Sequence, residues 1–254
     1  ANLFGRANNA KTSYKRLASF MEETQEDDVS EKNKGAIRRE KLGSIEFKDT
    51  TYRYPEADLD TLRSINLSVS EGEKVAILGR NGSGKSTLMK LASGLFKASD
   101  GLVMYDGVDI KQLHTDDLSR SIGIVLQDVQ LFSGSIRENI TMGRQDINQD
   151  DLISAGKLSG LDDFVSKIPG GYDLQLSDGG KGLSGGQRQS IALARAIVHK
   201  PTHFILDEPT SAMDMNAENI FISQMGSIMQ DSTMLIVTHR MPLLNLVDRI
   251  IVMN

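Results

Sequence analysis

The chain has 254 residues, 39% of them hydrophobic and 25% charged, the proportions of a globular protein with one sizeable core, and its formal net charge of -5 lacks the basic excess that binding a phosphate backbone requires, which argues against nucleic acid as a partner. The absence of cysteine excludes disulfides and thiolate metal sites and fits a reducing compartment, with the cytoplasm as the default. No apolar run reaches the ~18 to 20 residues of a membrane-spanning helix and the start has no signal-peptide pattern, so the chain as given is expected to be soluble.

Leu3, Ala7, Ala10, Tyr14, Leu17 and Met21 recur at alternating spacings of four and three, which is one apolar helix stripe. A helix packed on its own domain would give the same stripe. The polar stretch from Glu22 to Glu40 reads as a solvated linker, so the expected division is a helix and linker over 1–41 and one folded domain over 42–254. Ile45 to Tyr54 roughly alternates apolar with polar, and Ile65 to Val69 does so strictly, as half-buried antiparallel strands do. Val75 to Leu78, Phe204 to Leu206 and Met234 to Val237 are short continuous apolar runs, the pattern of strands buried on both faces of a parallel sheet. Helix-length segments lie at Gln187 to His199 and Asn216 to Gln230, so the order is that of α/β units. The opening at Ala1 and the stop at Asn254, directly behind Ile250 to Met253, give the expectation of a piece cut from something larger.

Gly79-Arg80-Asn81-Gly82-Ser83-Gly84-Lys85-Ser86 fits the P-loop pattern, and it stands behind a predicted strand and ahead of a predicted helix, where that pattern has to be. The glycines let successive N–H groups curl round a β-phosphate, and the following helix N-terminus adds partial positive charge. Lys85 is expected to bridge the β- and γ-phosphates, the Ser86 hydroxyl to bind Mg²⁺, and Thr87 to reach the α-phosphate. With glycine at about 7% usage, a chance match somewhere in such a chain is roughly a one-in-a-hundred event before context is required. The strand Phe204 to Leu206 delivers Asp207 and Glu208 at its C-terminal end, the edge where open parallel sheets bind ligands. Asp207 is expected to orient Mg²⁺. Neighbours on a strand alternate faces, so Glu208 is left to take a proton from, or orient, an attacking water as general base. An acidic pair after a strand is more often a cap or a solvated turn; beside a P-loop the functional reading is favoured.

Leu183-Ser184-Gly185-Gly186-Gln187, standing before Asp207-Glu208, resembles the signature of ATP-binding cassette (ABC) ATPases, and the resemblance covers essentially Ile45 to Met253. It implies a P-loop NTPase core of α/β class with a mostly parallel sheet, an antiparallel β subdomain and an α-helical signature subdomain. It further implies that Ser184, Gly185, Gly186 and Gln187 face the P-loop of a second copy, each ATP being held between Lys85 of one chain and Ser184 of its partner. By the same resemblance Tyr54 stacks on adenine, Gln127 contacts Mg²⁺ and a transmembrane partner, Asp214 lies at the dimer seam, and His239 contacts the γ-phosphate. Gly79, Asn81, Gly82, Ser83 and Gly84 form the phosphate loop. His114, His199 and His203 are given no role.

Within the family the chain is similar to exporters whose membrane domain precedes the ATPase, because Leu3 to Glu40 resembles the cytosolic extension of a last membrane helix. Ser177 to Gly182 and Ser211-Ala212-Met213-Asp214 look like type I secretion ATPases, especially those serving large repeat-containing adhesins, although those exporters usually carry Glu where Asp178 stands and Leu where Met213 stands. The resemblance implies ATP and Mg²⁺ as ligands and a homodimer at the cytoplasmic face of the inner membrane. The implied partners are a transmembrane domain, a periplasmic adaptor, an outer-membrane channel and a secreted protein cargo. A lipid or drug exporter shares every one of these catalytic residues. A soluble non-transport ABC ATPase would usually carry two cassettes or a long insertion, and a regulatory module would show decay at Ser184, Glu208 or His239.

Overall fold

The computed structural model describes Asn33, residues 35–229 and residues 231–254; the predicted helix along Leu3 to Met21 and most of the predicted linker lie outside the described residues. Arg38–Asn254 form one compact unit. Its strands are β1 (Ile45–Tyr52), β2 (Leu62–Val69), β3 (Lys74–Gly79), β4 (Asp100–Tyr105), β5 (Val108–Asp109), β6 (Ile122–Val125), β7 (Gly134–Ser135), β8 (Gln175–Leu176), β9 (His203–Asp207), β10 (Thr233–Val237) and β11 (Arg249–Met253). Its helices are α1 (Lys85–Ala92), α2 (Thr115–Ser121), α3 (Ile136–Thr141), α4 (Gln149–Leu158), α5 (Asp162–Val165), α6 (Gly185–Ile197), α7 (Met215–Ile228) and α8 (Met241–Leu244).

The continuous apolar runs form a five-stranded sheet in the order β11-β3-β10-β9-β6, parallel throughout. Each run is apolar at every position because both faces are covered. Val75, Ile77, Ile205, Leu235 and Val237 point into one core, while Ala76, Phe204, Leu206, Met234 and Ile236 point into another. The first core is shared with the antiparallel sheet β2-β1-β4-β5 and with Leu88, Met89, Leu91 and Ala92 of α1, which is therefore wedged between the two sheets. The second is closed by Phe221 and Met225 of α7 and by Leu193, Ala196 and Ile197 of α6.

The alternation along β1 is imperfect because the register slips between Phe47 and Thr50. Asp49 sits there with φ of 46°, its N–H donating to Asn66 Oδ1 at 2.9 Å and its carboxylate accepting from Asn66 Nδ2 at 2.8 Å. This is a bulge, in which one extra residue re-aims those that follow. The strand ends at Tyr52 rather than at Tyr54, the end expected from the sequence.

A third core, built from Ile136, Ile140, Leu152, Ala155, Leu161, Val165 and Leu176, belongs to a helical unit made by α3, α4, α5 and the small β7-β8 pair. Helix α6 borders it too, through Ile191 and Ala194, so opposite sides of one helix serve two cores. The fold is thus the expected α/β core with an antiparallel β layer and a helical unit. No helix among the described residues is long and apolar enough to cross a membrane.

One buried hydrogen bond ties the antiparallel layer to the end of α1. The Tyr105 hydroxyl donates to the Ala92 carbonyl at 2.7 Å, with Tyr105 only 1% exposed. Tyr105→Phe leaves that carbonyl without this donor, and we expect a loss of about 1–2 kcal/mol, read as a lower urea midpoint at unchanged slope; an unchanged midpoint would show that the bond contributes nothing net.

Candidate functional site

Strand β3 runs into the glycine-rich loop and straight on into α1. Gly84 occupies the N-cap of α1 with φ of 90°, and a Cβ there would lie 2.6 Å from Leu62 Cδ2, so the turn requires glycine on both counts. Lys85, 8% exposed, folds back over the loop, its Nζ donating to the Gly79 and Arg80 carbonyls at 2.9 and 2.8 Å. An ammonium has three donors, so one remains for a ligand. Beside the loop lies a cavity of about 610 Å³ lined by Tyr54, Asn81, Gly82, Gly84, Lys85, Ser86, Thr87, Gln127, Asp207, Glu208 and His239. Ser83 lies on a neighbouring groove along β2 and β11, and its buried hydroxyl has no hydrogen-bond partner. A Cβ on Gly79 would collide with the Met253 carbonyl of β11 and come within 2.8 Å of that hydroxyl, which makes Gly79 a residue of close strand approach.

Asp207 ends β9 at 2% exposure. Burial pushes its carboxyl above the ordinary range, while a hydrogen bond with the Ser86 side chain and the nearby Lys85 charge act the other way. The Ser86 hydroxyl, the Asp207 carboxylate and the Gln127 side chain face one cavity. A hydroxyl, a carboxylate and a carboxamide give three oxygen donors, few protein groups and one negative charge, the donor set that suits Mg²⁺ when phosphate supplies the rest.

Glu208 turns away from its neighbour because its backbone is left-handed, with φ of 50°, an uncommon and strained state for a residue with a side chain. Its N–H donates to the Val237 carbonyl of β10 at 2.9 Å. Its carboxylate lies 3.5 Å from His239 Nε2. Burial raises its pKa; His239 lowers it and Asp207 raises it further. A partly desolvated carboxylate beside an imidazole is a group poised to hold or receive a proton.

Tyr54 stands at the cavity rim, its hydroxyl 3.2 Å from Thr87 Oγ1. Its ring meets those of Tyr52 and Phe96 edge-on at 5.1 and 5.8 Å. Packing from beneath therefore fixes this ring while leaving Tyr54 37% exposed, an arrangement suited to stacking with a flat ligand.

The signature residues lie elsewhere. Ser184, Gly185, Gly186, Gln187 and Asp214 line a second cavity of about 570 Å³. Ser184 caps α6 in a reciprocal box: its Oγ accepts from the Gln187 N–H at 3.2 Å, and its own N–H donates to Gln187 Oε1 at 2.8 Å. Gly185 and Gly186 pack against the 212 segment so closely that added Cβ atoms would sit 3.1 Å from Ala212 Cβ and 3.3 Å from the Ala212 carbonyl oxygen. Asp214 caps α7, accepting from the Ala217 N–H at 2.8 Å. Within one chain, then, the P-loop, the acidic pair, Gln127 and His239 line one cavity and the signature and Asp214 line another, with Gly185 and Gln127 also meeting in a small cavity of about 230 Å³ between them.

Sequence reasoning passed over Thr61 and Ser211, which also line the first cavity, and Gln189, which is buried between the two. Ser211 is the first residue of the Ser211-Ala212-Met213-Asp214 segment, which the sequence singles out without giving Ser211 a place in the site. Thr61 carries no linear signal, because only the approach of the start of β2 to the loop brings it there. Of the histidines given no role, His203 is buried, its Nε2 2.6 Å from the Gly43 carbonyl.

The family model described as "ABC transporter" matches residues 62–211. Over 212 residues, 84% of this chain, the sequence is 42% identical to the cyclolysin secretion/processing ATP-binding protein CyaB of Bordetella pertussis. Over the same length it is 44% identical to the leukotoxin export ATP-binding protein LtxB of Aggregatibacter actinomycetemcomitans. The chain spans 30% of the length of each. Among solved structures, a bacterial Atm1-family ABC exporter with ATP bound superposes with a TM-score of 0.77 at 32% identity, covering 84% of this chain and 37% of the other.

Proposed function

The chain belongs to the ABC transporter family, and from that premise we propose that it is the ATP-hydrolysing motor domain of an exporter, one that moves a secreted protein by the type I route. The observation that carries this reading is the division of the site: Lys85, Ser86, Asp207, Glu208 and His239 share one cavity while Ser184 to Gln187 and Asp214 share another. A complete site therefore takes two copies head to tail, each giving its signature to the other's P-loop. Lys85 and the loop N–H groups hold the β- and γ-phosphates, the Ser184 end of α6 approaches the same γ-phosphate from the partner, and Tyr54 stacks on adenine.

Ser86, Asp207 and Gln127 hold the Mg²⁺, which when bound neutralises charge on the phosphate oxygens. Glu208 orients the attacking water and accepts its proton, with His239 at the γ-phosphate edge. Positioning and charge neutralisation account for the catalysis. Closure on ATP and opening after hydrolysis drive a transmembrane domain at the cytoplasmic face of the inner membrane, with residues 1–41 leading from that domain into the 42–254 nucleotide-binding domain. A periplasmic adaptor and an outer-membrane channel complete the path. Protein cargo is favoured over lipid or drug by the cyclolysin-secretion and leukotoxin-export relatives at 42% and 44% identity.

The test is the specific ATPase rate against protein concentration, with Mg²⁺ and then with EDTA. A site built from two copies gives a rate per chain that rises with concentration toward a plateau and vanishes on chelation. A Mg-dependent rate that stays constant at dilutions where the protein sediments as a monomer would overturn the two-copy site.

A further inference from the structure

Gln189 lies on α6 just beyond the Ser184 cap, 2% exposed, and both ends of its side-chain amide are used. Its Nε2 donates to the Glu208 carbonyl at 3.0 Å, and its Oε1 accepts from the Ala212 N–H at 3.0 Å. One side chain thus spans the turn that begins at the base and ends where Gly185 and Gly186 pack on Ala212. The backbone of Glu208 is held from two sides, its N–H by Val237 of β10 and its carbonyl by the Gln189 side chain of α6 together with the Ser211 N–H at 3.2 Å. The left-handed conformation that aims its carboxylate at His239 is rare for a residue with a side chain and persists only where the surroundings over-determine it.

We propose, resting on the reading of Glu208 as the base, that Gln189 is a positioning residue: it sets the direction of the Glu208 carboxylate and makes that direction follow the signature helix. The chemistry is a rigid link. Ser184, whose hydroxyl caps the first turn of α6, is the part of the helix that meets the ligand of the second cavity. Any displacement of that turn is carried through the Gln189 amide to the Glu208 carbonyl and through the glycine contact to Ala212, so that filling the second cavity of a chain is felt at the base in its first. The link needs a donor and an acceptor on one side chain of this length, which glutamine supplies and an apolar isostere does not.

The experiment compares the parent, Gln189→Met, Glu208→Gln and the double variant in the full chain, measuring ATP affinity by equilibrium titration and kcat by phosphate release. Misplacing a reacting group by about 1 Å costs on the order of 10²-fold in rate, so Gln189→Met should lower kcat by about 10- to 100-fold with ATP affinity changed less than about threefold. Because Gln189 acts through Glu208, the loss should not add: in the Glu208→Gln background the same substitution should lower the residual rate by less than about twofold. An equal loss in both backgrounds, or a fall in affinity that matches the fall in kcat, would overturn the proposal in favour of a packing role. Parental kcat in Gln189→Met beside a slow Glu208→Gln would overturn it alone. Parental kcat in Glu208→Gln would instead remove the reading of the base on which it rests.

Discussion

Glu208→Gln should bind ATP as tightly as the parent and hydrolyse it about 10² to 10⁴ times more slowly, the range a positioned general base contributes. The substitution keeps the size of the side chain, the left-handed backbone and the contact with the His239 ring, and removes only the capacity to take a proton. Unimpaired binding with lost turnover should leave ATP-bound pairs accumulating, so the variant should run as a dimer in ATP where the parent does not. The same carboxylate sets the pH behaviour of the parent. Burial raises the pKa of Glu208, and the group serves as base only when ionised. The rate therefore falls as pH falls through that raised value, with its midpoint above the ordinary glutamate range. A single-turnover pH profile checks this, and an acid limb at or below the ordinary range would mean that the group being titrated is another. Turnover at the parental rate in Glu208→Gln would end the assignment outright.

Lys85→Ala should act one step earlier, on binding. The ammonium is buried and held by two loop carbonyls, with one donor to spare for phosphate. A charge-assisted hydrogen bond of that kind contributes about 1.5–3 kcal/mol, which corresponds to about 10- to 100-fold in affinity. Titration with a slowly hydrolysed ATP analogue should show a loss of that size. The variant should also lose some stability without nucleotide, since the Gly79 and Arg80 carbonyls lose their internal donor. Unchanged affinity with lost turnover would instead place Lys85 at the transition state alone.

Much of this site could be read before any coordinates, and the reason is physical. Phosphate binding by a backbone loop demands glycines at fixed spacing, and a catalytic carboxylate at a sheet edge demands an apolar strand behind it, so Gly79 to Ser86 and Phe204 to Glu208 carry their chemistry in their order. Helix capping is equally local, and the Ser184–Gln187 box could be anticipated from four consecutive residues. What escaped was whatever depends on chain segments far apart. Gln189 is indistinguishable from a solvated helix residue because both of its partners are backbone atoms, which have no letter in the sequence. The left-handed turn at Glu208 has no residue signature either, since glycine is not used there. The short helices α3 to α5 contribute only a few apolar residues each to a shared core, too little periodicity to stand out. The rough alternation from Ile45 to Tyr54 hid a bulge at Asp49 that only the pairing with β2 discloses.

The strand order of the parallel sheet has a consequence for how the protein is made. Strand β3, which carries the phosphate loop, finds its neighbour β10 only about 150 residues later in the chain. At about 5–20 residues per second of synthesis that is a wait of roughly ten seconds or more, during which Val75 to Leu78 and the front of the loop lack their sheet. The antiparallel layer, whose strands are close in sequence, and α1 emerge together and can shelter one side of β3 in the meantime. Its two strand edges stay open until β10 and then β11 arrive, so these late strands decide when the nucleotide site exists at all. Long-range parallel pairing of this kind is slow to nucleate and exposes sticky edges. Nascent chains stalled before Thr233 should therefore be the forms of this protein most in need of chaperones.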